Sequence, residues 1–217
     1  MLNGSGLLSP VIQQVAVALL ADTVPSEWSQ RWEGPDKPQT WLRELVRRRL
    51  ALGKWRTLSA QDNLLNEPLE LGELFNPSTF LNALRQQSAR KLAIALDKVK
   101  MVSSWDLNDS RLAKICPLPC TLTNLLLQGA SLSKGGRVAL EESAPEANEL
   151  TVCRPVRIGF ASVDEPDLYD DEDAVLVPVY TTPSREQLLT EVQIPIGEES
   201  SGKWMLSGVA LFLSEGE

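Results

Sequence analysis

A change of hydrophobic period near residue 116 constrains this 217-residue chain more than any other feature. Up to about residue 115, apolar side chains recur every three or four positions, the spacing that lines one side of a helix. Beyond Pro117 and Pro119 they fall in short runs between Gly, Pro and acidic residues, the pattern of strands and turns. Ser9-Pro10 supplies an N-cap and a first-turn proline for a helix with Val11, Ile12, Val15, Leu19 and Leu20 on one face. Pro38 opens a second, with Trp41, Leu42, Leu45, Val46, Leu52 and Trp55 inward. Asn76-Pro77 opens a third that the periodicity carries to about Ser104, with Phe80, Leu81, Leu84, Leu92, Ala95, Val99 and Val102 inward. At ~1.5 Å per residue this helix would be about 40 Å long, a spine for two subdomains. Strands are predicted at Leu122–Leu127, Arg137–Leu140, Val152–Phe160, Ala174–Tyr180, Gln187–Ile194 and Trp204–Leu213. Strands and helices do not alternate, so a parallel nucleotide-binding sheet is not expected. The expected class is α+β: a helical subdomain over 1–115, then an incomplete antiparallel β-barrel over 116–217.

Charge and residue usage narrow the chemistry. Lys plus Arg is 21 against 29 Asp plus Glu, a net charge of −8, so neither nucleic acid nor anionic lipid is expected as a partner. The sequence has no histidine, which removes Ser-His-Asp and Cys-His nucleophiles, imidazole acid–base catalysis and most zinc sites. Cys116 and Cys120 read Cys-Pro-Leu-Pro-Cys, but with Cys153 they make only three thiols where a closed zinc site wants four ligands. They are expected to be buried, reduced thiols. No basic residue precedes Arg31, so no secretory leader is expected, and the run Val15–Ala21 is too short to cross a bilayer. A soluble intracellular protein is the expectation.

Several constellations invite a chemical reading. Gly197-Glu-Glu-Ser-Ser-Gly202-Lys203 matches a phosphate-binding loop for seven positions, but Trp204 stands where Ser or Thr should hold magnesium. A strand, not a helix, is predicted to follow, so a hairpin connection is the better reading. Seven acids crowd residues 164–173 without the mid-loop Gly of a calcium-binding loop, which suggests a solvated, mobile connector or a surface for a basic partner. On the second helix Arg43, Arg47 and Lys54 project within about 40° of one another, either an ordinary solvated face or a docking stripe. Arg49 falls amid the apolar stripe, and Gln87 and Lys91 fall on the apolar side of the third helix. Trp28 and Trp32, in a turn, are candidates for exposed aromatic anchors.

The ordered motifs resemble one family. Pro25-Ser-Glu-Trp28, Trp32-Glu-Gly-Pro35 and Leu71-Gly-Glu-Leu-Phe75-Asn-Pro-Ser-Thr-Phe80-Leu-Asn-Ala-Leu-Arg85 are similar to the C-terminal region of dynein heavy chains. So are Val177-Pro-Val-Tyr180-Thr-Thr-Pro-Ser-Arg185 and Trp204-Met-Leu-Ser-Gly208-Val-Ala-Leu-Phe212-Leu. Trp-Glu-Gly-Pro and Phe-Leu-Asn-Ala-Leu-Arg-Gln resemble the cytoplasmic dynein 2 branch, which drives intraflagellar transport. Residues 134–150 and the acidic stretch lie outside the likeness.

The resemblance implies helices followed by an incomplete antiparallel barrel, lying across one face of an AAA+ ring. It implies a non-catalytic module that modulates processivity and force, in the cytoplasm and in cilia or flagella. Its partners would be ring modules of the same heavy chain, and possible further partners are accessory subunits or transport trains. Microtubules would be bound only through other parts of the motor. No catalytic, cofactor or metal residues are expected; Arg43, Arg47, Lys54, Trp28 and Trp32 are the candidate docking residues. The competing reading is an interaction module built on the barrel and acidic loop; an independent enzyme rests only on the near-miss phosphate loop.

Overall fold

Ser9 caps the first helix by accepting a hydrogen bond from Ile12 N at 3.4 Å, and Pro10 fits the first turn because it has no N–H to satisfy. The resulting helix α1 spans Pro10–Leu20. In the computed structural model, residues 9–28, 37–132, 140–141, 150–170, 172–196 and 208–214 are described. By its contacts the polypeptide divides between Lys54 and Trp55, not at the change of period near residue 115.

The first unit, residues 1–54, holds α1 and most of α2 (Pro38–Ala60), the longest described helix. Asp22, in the left-handed region at φ 54°, accepts from Gln39 N at 3.0 Å, so the end of α1 satisfies a first-turn donor of α2. Trp28 meets Trp41 edge to face, ring centroids 6.5 Å apart.

The second unit, residues 55–217, contains α3 (Pro77–Leu92), α4 (Ser110–Ile115) and eleven described strands. These are β1 (Pro68–Leu69), β2 (Val99–Ser104), β3 (Cys120–Leu122), β4 (Leu125–Gln128), β5 (Ser131–Leu132) and β6 (Leu140–Glu141). They continue with β7 (Thr151–Val152), β8 (Val156–Ser162), β9 (Ala174–Tyr180), β10 (Leu188–Pro195) and β11 (Ala210–Leu213). One sheet has the order β1-β3-β8-β2, a second β10-β9-β11-β4-β7, and β5 pairs with β6.

The long spine helix does not form. Asn76 caps α3 through Thr79 N at 3.1 Å, but Ala93 turns left-handed at φ 55° and ends the helix at Leu92. Val99–Ser104, expected as its last turns, pairs antiparallel with β8. The residues of Val-Lys-Met-Val suit a strand as well as a helix, and neither Gly nor Pro marks the break.

The expected purely antiparallel arrangement is corrected. Among the described residues the two main sheets are mixed, with β1–β3 and β11–β9 parallel, and neither closes on itself. Two predicted strands are each split between the sheets. Leu122–Leu127 breaks at Asn124, left-handed at φ 55°, and Val152–Phe160 breaks before Pro155 and resumes at Val156. The Ala174–Tyr180 strand forms as expected, and Gln187–Ile194 shifts by one residue to Leu188–Pro195. Of Arg137–Leu140 and Trp204–Leu213, only Leu140 and residues 208–213 lie within the described residues.

One core gathers Leu81 and Leu84 of α3, Ile158 of β8, Leu127 of β4, Val192 of β10 and Leu211 of β11. A smaller one joins Val102, Leu112, Cys116, Ala161 and Leu168. At Gly159 an added Cβ would meet Cys116 Cβ at 2.6 Å, so β8 passes this thiol only as glycine. The Leu71-Gly72-Glu73 motif has a physical account too. Leu71 is buried in the larger core, and an added Cβ at Gly72 would collide with Ser214 O. Glu73 Oε2 accepts from Trp55 Nε1 at 3.1 Å, while Trp55 packs edge to face on Phe80 at 5.2 Å.

Candidate docking surfaces

Helix α2 presents a mixed face. Arg43 and Lys54 are exposed, whereas Arg47 is half-buried with Nη2 2.8 Å from Glu44 Oε2. Arg48 lies 3.8 Å from the same carboxylate, the i,i+4 support expected from the sequence. Such pairs are worth about 0.5 kcal/mol, so they orient side chains more than they stabilise the helix. Val46, expected inward, is exposed, and Leu50 is 71% exposed. At 100° per residue, Arg43, Val46, Leu50 and Lys54 share an arc of about 80°. The buried line runs instead through Ala51 and Trp55, so Arg49 projects to solvent.

Helix α1 is more unusual. Its sequence is almost wholly apolar, yet none of its residues is buried, and Leu20 is 83% exposed beside exposed Val11, Ile12 and Val17. Val15, Ala16, Ala18 and Leu19 are half-buried, so one side of α1 is partly covered while its other apolar residues form an exposed patch, the kind of feature that makes a candidate contact surface. Sequence reasoning missed this, because the alternation of α1 reads as a core-facing stripe. The signal was the composition: Pro10–Leu20 carries no charge and only two polar residues, Gln13 and Gln14, so an apolar residue had to remain outside any one buried stripe.

Trp28 is half-buried against Trp41, and Trp32 lies outside the described residues, as does the near-miss phosphate loop at 197–204. Of the candidate docking residues, Arg43, Arg47 and Lys54 lie together on α2, and Trp28 packs on the same unit's Trp41. Gln87 and Lys91 are exposed rather than half-buried; the buried side of α3 runs through Leu84, Ser88 and Ala89.

The acidic stretch 164–173 is anchored, not a free connector. Lys100 Nζ donates to Glu165 O at 2.6 Å and lies 2.8 Å from Asp167 Oδ1. Arg111 Nη1 donates to Leu168 O at 3.2 Å, Leu168 is buried in the smaller core, and Tyr169 OH accepts from Trp105 N at 3.3 Å. The apolar pair Leu168-Tyr169 inside an acid run was the available signal. Asp164, Glu165, Asp170, Glu172 and Asp173 remain exposed on this frame.

Beneath it, Asp109 caps α4. It accepts from Arg111 N at 2.9 Å and from Ser104 Oγ at 3.0 Å, and Arg111 Nη2 lies 3.2 Å away. Burial alone would raise its carboxyl, but the bonds from Arg111 and Ser104 outweigh it and hold the pKa below the usual 3.8. The three thiols go the other way: burial pushes Cys116, Cys120 and Cys153 up to about 12, so they stay protonated at neutral pH. Among the described residues no cluster of ligand side chains could hold a metal, and no helix is long and apolar enough to cross a membrane.

The described residues thus form an α+β unit and a helical unit with exposed apolar residues on both α1 and α2. The sequence matches the family profile of the C-terminal domain of the dynein heavy chain over residues 1–213, and the protein belongs to that family. Over 212 residues it is 36% identical to cytoplasmic dynein 2 heavy chain 1 of Homo sapiens, covering 98% of this sequence and 5% of that protein. The Chlamydomonas reinhardtii cytoplasmic dynein 2 heavy chain 1 is 37% identical over 222 residues, with the same shares covered. More distant is the flagellar outer arm dynein alpha chain of Chlamydomonas reinhardtii, 28% identical over 224 residues, 99% of this sequence and 5% of that one. The 217 residues thus span about a twentieth of these relatives. The relatives carry the names of cytoplasmic and of flagellar dyneins.

Proposed function

We propose that this segment is a non-catalytic regulatory and structural module of a dynein motor. In this reading it lies on a face of the AAA+ ring and tunes processivity and force in retrograde intraflagellar transport. One observation carries it: α1 and the Arg43–Lys54 face of α2 hold Val11, Ile12, Val17, Leu20, Val46 and Leu50 in solvent, flanked by cations. Covering such a surface releases on the order of 25 cal/mol per Å2 of apolar area, so the segment favours whichever ring conformation covers it best. ATP hydrolysis and microtubule binding belong to other parts of the heavy chain, and the segment itself needs no cofactor. The test is removal of the segment from an intact motor, followed by stepping under load. Shorter runs or a changed stall force are expected; unchanged velocity, run length, stall force and ATPase overturn the reading.

A second reading is favoured by the anchored acidic stretch, whose exposed carboxylates stand on a frame fixed by Lys100 and Arg111. Here the segment recruits a basic surface of an accessory or cargo-train subunit. Replacing Asp164, Glu165, Asp170, Glu172 and Asp173 by amides should then abolish salt-sensitive capture of that subunit. Capture that ignores both the substitutions and the salt concentration leaves the stretch a connector.

A further inference from the structure

The connection between β9 and β10 carries a motif that docking does not use, Thr182-Pro183-Ser184-Arg185. Arg185 N closes the turn on Thr182 O at 3.1 Å, and the Thr182 and Ser184 hydroxyls lie 2.8 Å apart. Ser184 and Arg185 are exposed and Thr182 is half-buried. Arg185 adopts the left-handed conformation at φ 58°. Its Nη2 donates to Gln128 Oε1 of β4 at 2.8 Å and to Gly208 O at 2.9 Å, and its guanidinium carbon stands 5.7 Å from the centre of the Phe212 ring.

Phe212 is the middle of a row that crosses the whole second sheet. It is in register with Leu126 and Tyr180; Leu126 is in register with Val152, and Tyr180 with Leu188. Tyr180 stacks on Phe212 at 6.1 Å. The ends of the row are open, Val152 being 72% exposed, while Phe212 beneath Arg185 is fully buried.

We propose that Thr182 is a phosphorylation site for a proline-directed protein kinase, and that its phosphate draws Arg185 away from Phe212. Pro183 supplies the determinant: a pocket built for proline after the acceptor offers no partner to a backbone N–H, and proline has none. In the reaction a kinase base takes the Thr182 hydroxyl proton as Oγ1 bonds to the γ-phosphorus of MgATP. The bond from that phosphorus to the bridging oxygen breaks, and ADP leaves. The product brings a charge of about −1.5 to −2 within three residues of Arg185. Among the described residues Arg185 holds two neutral oxygens and a ring face, and a charge-assisted bond to phosphate is about twice as strong as a neutral one. Release of the guanidinium frees the turn from β4 and from Gly208, and uncovers the centre of the row.

The purified 217-residue protein is incubated with a proline-directed kinase and MgATP, and phosphate is mapped by peptide mass spectrometry. Amide exchange is then compared for modified and unmodified protein. Phosphate is expected on Thr182, to be lost in Thr182→Ala and kept in Ser184→Ala. Exchange over residues 208–213 should become about tenfold faster. Folded protein that takes up no phosphate at Thr182, or takes it up with exchange over 208–213 unchanged, overturns the proposal. Ser9, which also precedes a proline, is separated from Thr182 by the mapping.

Discussion

Gln193 is where β10 and β2 meet without a ladder. Its carbonyl accepts from Ser103 Oγ at 3.2 Å and Trp105 Nε1 at 2.8 Å, and its N–H donates to Ser103 Oγ at 3.0 Å. Side chains therefore satisfy the polar groups of an edge strand that would otherwise be open to pairing. Trp105→Phe keeps most of the buried ring but removes one donor, and is expected to cost about 1 kcal/mol. A lower urea midpoint with an unchanged slope checks this. Asp109 makes a second residue-scale prediction. Its pKa is lower folded than unfolded, so between the two values the unfolded state binds more protons and stability rises with pH. The contribution is complete above the unfolded value near 3.8 and is lost as pH falls below it toward the folded value. Asp109→Asn should thus lower the urea midpoint at pH 7, and the gap to the parent should narrow at pH 3.

At the scale of elements, the end of α3 is the most informative. Ala93 is strained at φ 55°, so Ala93→Gly is expected to raise stability by about 0.5–1 kcal/mol. Were the helix continuous to Ser104, the same change would lower it by about 1 kcal/mol, so the sign of the melting-temperature shift decides. The starts of α1 and α3 were legible because Ser9-Pro10 and Asn76-Pro77 are chemical caps. The β9 strand was legible because turn residues bound a β-branched run. What escaped was set by backbone geometry with no glycine to announce it, at Ala93 and Asn124. The division of strands between two sheets escaped as well, since Pro155 marks a break in a run but not the change of partner that follows. For the candidate site, the cations of α2 were readable from helical spacing. The exposure of Val46 and Leu50 was not, because an apolar residue at helical spacing reads as core whether or not a partner covers it.

At the scale of the molecule, the described residues of the first unit leave Val11, Ile12, Val17, Leu20, Val46 and Leu50 exposed to water. Leu20→Ser with Leu50→Ser should change the stability of the isolated protein by no more than about 0.5 kcal/mol each, because neither side chain is buried. Binding of an apolar dye should fall, and in an intact heavy chain the segment should become easier to release by limited proteolysis. The sheet order β10-β9-β11-β4-β7 has a consequence for how the molecule is made. β11 follows every other strand of its sheet in sequence, yet stands between β9 and β4. As the nascent polypeptide leaves the ribosome, β9 with β10 and β4 with β7 can zip early, but each pair keeps a bare edge until the last strand emerges. Translation that pauses before residue 210 would leave this sheet in two unjoined pieces, a state for chaperones to shield.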